Sequence, residues 1–223
     1  MGKDFDTLRD VLHARYSCRA FRSDPVPDAT IKQIVTAAGR APSWCNAQPW
    51  QATVTRGQET ERFREALLKT ASEKPDPDLA WPSSYPGATG ERRRTCGFQL
   101  YEAVGIARDD RAARNQQSLE NFRLFGAPHV AIISSESDLG AYGALDCGGF
   151  VTAFSLAATA LGLATIPQAS VAAYPQMIRD HFDLPKSRLI LCAISFGYAD
   201  PDHPANNFRT ERAGLDEIYD PRG

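Results

Sequence analysis

RAPSWCNAQPW, residues 40–50, fits neither a helix nor a regular strand. Pro42 and Pro49 each remove a backbone donor and push the preceding residue toward extended geometry. Two tryptophans and two side-chain amides, Asn46 and Gln48, are thus crowded onto a backbone that is rigid before any partner arrives. Burial in a core accounts for Trp50 but leaves Trp44 and Asn46 unexplained. Before this stretch, apolar residues recur at helical spacing; after it, WQATVTR alternates like a strand. The segment marks the passage from helices into a sheet, with polar groups set out for a further purpose.

Working outward, Phe5, Leu8, Val11 and Leu12 predict an amphipathic helix ending near Arg15, and VPDATIKQIVTAA predicts a second helix capped by Asp28. A helix is expected over 58–73. From Glu73 to Gly90 the chain carries Pro75, Pro77, Pro82 and Pro86 with Trp81 and Tyr85, and reads as an irregular excursion. Helices near 91–104 and 109–124 follow, then the strand HVAIIS and an apolar helix from about Leu145 to Leu161. A strand near 163–166, the helix YPQMIRDHF and the strand RLILCAISFGY complete the order. The polar tail holds Leu215, Ile218 and Tyr219 and is expected to pack on something. This order predicts one α+β domain over 1–223, with an excursion at about 73–120, and not a parallel βαβ array.

Lys and Arg number 25 against 27 acidic residues, for a net charge of -2. That balance argues against a nucleic-acid binder. The charged start argues against a secretory signal. Cys18, Cys45, Cys96, Cys147 and Cys192 are widely spaced without a CxxC pair, which fits a reducing cytoplasm. No charged residue occurs from Cys147 to Ile178, a length that can span a bilayer. Ala, Gly and Thr dominate it and basic flanks are missing, so it reads as a helix buried on most sides, suited to a subunit interface and not to a membrane.

His13, His129, His181 and His203 lack the spacing of a zinc site. There is no GxSxG elbow, no GxxxxGK[ST] loop and no GxGxxG after a strand. Cys45 has no nearby His and reads as an inert thiol.

Four segments remain. RYSCRAF places Arg15, Ser17 and Arg19 at alternate positions, so an extended backbone projects all three to one side, suited to a phosphate or an anionic ring edge. The opening loop offers donors and acceptors on a fixed frame. In GLATIPQAS, Pro167 cannot donate to a sheet, so the strand is expected to break there and leave the next N–H groups facing a ligand. NNFRTER brings Arg209 and Arg212. Each has a plain alternative: surface arginines, a Pro-rich turn, a strand-to-helix turn and a basic tail.

Together the four resemble the flavin-dependent nitroreductase family. RYSCRAF is similar to its R-x-S-x-[RK]-x-[FY] signature, and APSWCNAQPW to its [AS]-P-S-x-x-N-x-Q-P-W motif, the most specific of the matches. LDCGGFVTAFSLAATALGLAT with PQAS resembles its central helix and flavin-edge turn, and FRTER its second phosphate-binding Arg pair. WPSSYP, LYEAVGIARDD and NFRLFGAP resemble the longer lid of the branch acting on nitrobenzoate-type compounds.

The resemblance implies a three-layer sandwich, a mainly antiparallel sheet flanked by helices, in an intertwined homodimer holding FMN at the interface. It implies that Arg15, Tyr16 and Ser17 bind phosphate and ribityl chain with Arg209 and Arg212, while Arg19 sits by the N1–C2=O edge. Pro42, Ser43, Trp44 and Asn46 would flank the flavin from the partner subunit. Backbone at Pro167, Gln168 and Ala169 would lie at N5, and Asn121 near the pyrimidine end. Many members have an acidic residue or Gly where this chain has Gln168-Ala169, and several have Lys in place of Arg19. Trp44, Phe125, Trp81 and Tyr85 are candidate walls of the substrate slot. The implied activity is ping-pong reduction of nitroaromatics or quinones by NAD(P)H. Reductive dehalogenation, flavin cleavage and non-catalytic flavin binding stand as alternatives.

Overall fold

The computed structural model describes residues 2–222. In chain order the elements are α1 (Lys3–Ala14), α2 (Asp28–Ala38), β1 (Gln51–Val54), α3 (Gln58–Thr70), α4 (Gly87–Ala103), α5 (Arg111–Leu119), β2 (His129–Glu136), α6 (Gly140–Ala160), β3 (Ala164–Gln168), α7 (Pro175–Phe182), β4 (Arg188–Gly197) and α8 (Leu215–Ile218). The strands form one antiparallel sheet in the order β1-β2-β4-β3.

The three layers follow from the alternation within β2. Side chains of a strand point to opposite faces in turn. Ala131 and Ile133 join Ile31 and Ile34 of α2 and Phe150 and Phe154 of α6 in one cluster. Val130 and Ile132 join Phe63 and Leu67 of α3 and Ile178 of α7 in another. The middle of this central strand, Val130 to Ile133, is therefore apolar without a break because both of its faces are covered. A shift of register between Ile133 and Ser134 skips Leu191, so Ile190 and Ala193 share the second cluster while Ile194 and Phe196 meet the first.

Several sequence expectations need correction. Pro27, not Asp28, occupies the N-cap position of α2, with no side-chain cap. Asp28 is the first helical residue and pairs instead with Lys32 at 2.8 Å and with Arg56. The excursion becomes helical at Gly87, earlier than expected, while α3 and α5 stop short at Thr70 and Leu119. The apolar helix begins at Gly140, and only one stripe of it is buried: Tyr142 is 57% and Leu145 is 69% exposed. By length and composition it is long and apolar enough to cross a membrane, the only such helix among the described residues. A core helix of this kind passes the same test, and Cys147, Phe150 and Phe154 are core here. Leu215, Ile218 and Tyr219 do not pack within the chain; they are 70%, 72% and 61% exposed. All five cysteines are free.

Candidate active site

After α1 ends, residues 15–21 run alongside the outer edge of β3. Ser17 bridges Thr165 in parallel, and the Cys18 N–H donates to the Thr165 carbonyl at 3.0 Å. Cys18 and Ala20 are buried while Arg15, Ser17 and Arg19 are half-buried, so the alternate residues share the open side as expected for an extended segment.

Two hollows meet along this segment. The first, about 320 Å³, is lined by Arg15, Tyr16, Ser17 and Arg19 from the N-terminal part and by Phe208, Arg209, Thr210 and Arg212 from the C-terminal part. The second, about 290 Å³, shares Ser17 and Arg19 with it and continues past Tyr101, Asn121, Phe125, Pro167, Gln168 and Ala169. Neither is lined by a carboxylate among the described residues.

Among the described residues these guanidiniums have no acidic partner. Arg209 lies over the Tyr16 ring at 3.7 Å and donates to the Asn206 carbonyl at 2.7 Å. Arg212 reaches the Thr210 hydroxyl at 2.7 Å. Arg19 donates to the Ser17 carbonyl at 3.1 Å and faces the Phe208 ring at 5.4 Å. Burial, and after it the charge of Arg212, hold Arg15 below the ordinary guanidinium value; burial does the same to Arg19. Concentrated, partly desolvated positive charge of this kind favours an anion.

Asn206, which the sequence reading did not single out, ties the two ends together. Its side-chain oxygen accepts from the Arg19 N–H at 2.8 Å, and its amide donates to the Ala20 and Asp200 carbonyls. A second Asn beside the NNFRTER arginines was the available signal. Cys96 of α4 and Tyr101 were also missed, since contacts from the excursion leave no local pattern, and so was Phe208 of the C-terminal part.

At β3 the expectation of a break at Pro167 is wrong. The strand runs through Pro167, opposite Ile194, to Gln168, opposite Ala193. The Thr165 carbonyl points to the outer edge, so by the two-residue period Pro167 does too, and its missing donor costs no bond to β4. Ala169, in the turn just past the strand, lines the second hollow. The Gln168 side chain is 2% exposed and turns inward, bonding Ser195 and the Asn121 carbonyl, the latter at 2.8 Å.

The 40–50 stretch lies elsewhere. Trp44, Cys45 and Ala47 line a separate hollow with Tyr142 and Asp146 of α6. The Trp44 N–H donates to Asp146 at 3.1 Å, and its ring meets Tyr142 edge-on at 4.2 Å. Ser43 accepts from the Gln48 N–H at 2.9 Å. Cys45, Asn46 and Gln48 all have left-handed backbone, a conformation that costs non-glycine residues about 1–2 kcal/mol each. Trp50, by contrast, stacks on Phe150 in the core. Of the expected substrate walls, Phe125 is 5% exposed and forms a floor of the second hollow, Trp81 and Tyr85 lie exposed on the excursion, and only Tyr85 lines a hollow there.

An elongated cleft with an arginine-rich end and an amide-lined end, and with no metal-binding cluster or carboxylate among the described residues that line it, suits a phosphorylated cofactor that brings its own chemistry. A family model described as the nitroreductase family matches residues 12–198, and the chain belongs to that family. The chain is 38% identical over 209 residues to nitroreductase NfnB of Mycolicibacterium smegmatis, covering 93% of this chain and 89% of that one. It is 36% identical to 4-nitrobenzoate reductase of Pseudomonas putida, covering 94% and 91%. The crystal structure of the FMN-dependent nitroreductase NfnB from Mycobacterium smegmatis in complex with NADPH superposes with a TM-score of 0.93 at 36% identity, covering 98% of this chain and all of that one.

Proposed function

We propose that this protein is an FMN-dependent NAD(P)H oxidoreductase that reduces nitroaromatic compounds, with quinones as further acceptors, and works as a cytoplasmic homodimer. The observation that carries this reading is the convergence of Arg15, Arg19, Arg209 and Arg212, from both ends of the chain, on one cleft.

The residues present fit FMN. Arg15 and Arg212 hold the phosphate and relieve their mutual repulsion by doing so, with the Ser17 hydroxyl as a further donor. Arg19, at the seam of the two hollows, places a fixed positive charge beside the ring edge where negative charge collects on reduction. The Ala169 N–H would give that end a backbone donor, with Asn121 on the lining of the same hollow. When bound, FMN supplies the redox chemistry, taking hydride from a reduced nicotinamide and passing it to the acceptor. The residues around it bind, orient and exclude water.

The uncovered apolar face of α6 supports the homodimer, as does the position of the Pro42–Gln48 loop outside its own chain's cleft. That loop, with Pro42, Ser43, Trp44 and Asn46, would serve the partner's flavin. The excursion at 73–120 would act as the lid, since α4 has no buried residue, with Phe125, Trp81 and Trp44 bounding the acceptor slot and Tyr85 standing farther out on the lid.

The purified protein is expected to be yellow and to oxidise NADPH in proportion to added 4-nitrobenzoate. Colourless protein, or oxidation indifferent to the nitroarene, counts against the reading. Arg19→Ala should lower flavin retention or the rate of flavin reduction about tenfold or more, as for one lost charge-assisted contact. Unchanged flavin content and reduction rate reject its assignment.

A further inference from the structure

A further hollow, of about 550 Å³, lies on the excursion, between residues 82–85 and the first turns of α4. Ser83, Ser84 and Tyr85 form one side of it, and Gly90, Arg93 and Arg94 the other. Gly90 lets the two sides close, because a methyl group there would overlap the Tyr85 carbonyl oxygen. Three successive arginines begin within this helix, and they are not equivalent. Arg92 is tied to Glu217 of α8. Arg93 and Arg94 have no carboxylate partner among the described residues, and Arg93 lies over the Tyr85 ring at 5.1 Å.

We propose that this hollow binds the 2′-phosphate of the adenosine half of NADPH, and that Arg93 and Arg94 make the enzyme prefer NADPH to NADH. The proposal rests on the oxidoreductase reading above. The two donors differ only in that phosphate, and arginine is a usual means of accommodating it. Two unpartnered guanidiniums with two hydroxyls match a dianion, whereas an acceptor's carboxylate carries one charge. The volume leaves room for the base to stack against the Arg93 plane and Tyr85.

Position favours the donor as well. Leu100 and Tyr101, which line the hollow beside Gln168, lie seven residues farther along α4 than Arg93 and Arg94. That is a rise of about 10 Å, which a dinucleotide bridges and a single nitrobenzoate ring does not.

The test compares flavin-loaded wild type with the Arg93→Ala/Arg94→Ala double variant at saturating 4-nitrobenzoate. KM for NADPH should rise about tenfold or more, the loss expected for two charge-assisted contacts, with kcat and the NADH parameters nearly unchanged. The Arg93→Lys/Arg94→Lys variant should recover part of the preference. Adenosine 2′,5′-bisphosphate, titrated calorimetrically, should bind wild type and lose affinity for the double variant, while adenosine 5′-monophosphate distinguishes the two proteins little. Equal losses with NADH and NADPH overturn the assignment. So does a rise confined to KM for 4-nitrobenzoate, which would give the hollow to the acceptor. The titration needs no turnover, so failure of this site is seen separately from failure of the wider activity, which shows as absent flavin or absent NAD(P)H oxidation.

Discussion

His129 is held in a single protonation state by two backbone groups. The Val26 N–H donates to its Nε2 at 3.0 Å, so Nδ1 carries the proton and donates to the Thr55 carbonyl, also at 3.0 Å. A second proton would have to point at the Val26 N–H. Burial lowers its pKa, opposed by the Thr55 carbonyl and assisted by the Arg56 charge. The unfolded chain therefore protonates first on acidification, near the ordinary imidazole value of about 6.5. This contribution to stability is complete above that pH and is lost as pH falls below it, by up to about 1.4 kcal/mol for each pH unit. The melting temperature should fall from pH 7 to pH 5, and His129→Gln, less stable at every pH, should show the shallower dependence; parallel profiles refute the assignment. At the cleft, Arg212→Ala should weaken FMN binding about tenfold or more, read from flavin released on dilution.

Among the elements, β4 does more than pair with β2. Its first residue, Arg188, is buried and donates to the Ser134 carbonyl at 2.8 Å, to Glu136 at 2.9 Å and to the Pro49 carbonyl at 3.4 Å. It clamps the end of the left-handed loop to the sheet. Arg188→Met leaves those acceptors without a donor and should cost about 2–4 kcal/mol, seen in denaturant unfolding, with faster proteolytic nicking near residues 43–48. How well the elements could be read from the sequence depends on where their determinants lie. The β2 and β4 strands and the alternation of Arg15, Ser17 and Arg19 are local patterns, and the structure repeats them. At Pro167 the local rule misleads, because whether a proline breaks a strand depends on which edge it faces, and that is set by Ser17, far away in sequence. Asp28 looks like a cap, but Pro27 takes the position and Asp28 pairs with Arg56 across the fold. The partial burial of α6 was hidden because small residues suit a helix contact of either kind. Asn206 and Phe208 escaped because they reach the cleft by tertiary packing alone.

Over the whole molecule, apolar side chains are left uncovered on several elements: Phe5, Leu8 and Leu12 of α1, Tyr142 and Leu145 of α6, and Leu215 and Ile218 of α8. A single copy with this much exposed apolar surface favours association. Leu145→Glu should shift the protein toward monomer in sedimentation and lower its flavin content together; a monomer with full flavin content would show that the Trp44 loop serves no second subunit.

The arginine cleft joins the chain's extremities, since Arg15 follows the opening helix and Arg212 precedes the closing one. Whatever occupies it acts as a clasp. Asn206 already fastens Arg19 and Ala20 to the C-terminal part, and an occupant gripped by Arg15 and Arg212 adds a second fastening that leaves the ends harder for a protease to thread. Abundance in the cell should accordingly follow vitamin supply: scarcity of riboflavin would thin the population through degradation, without any change in transcription.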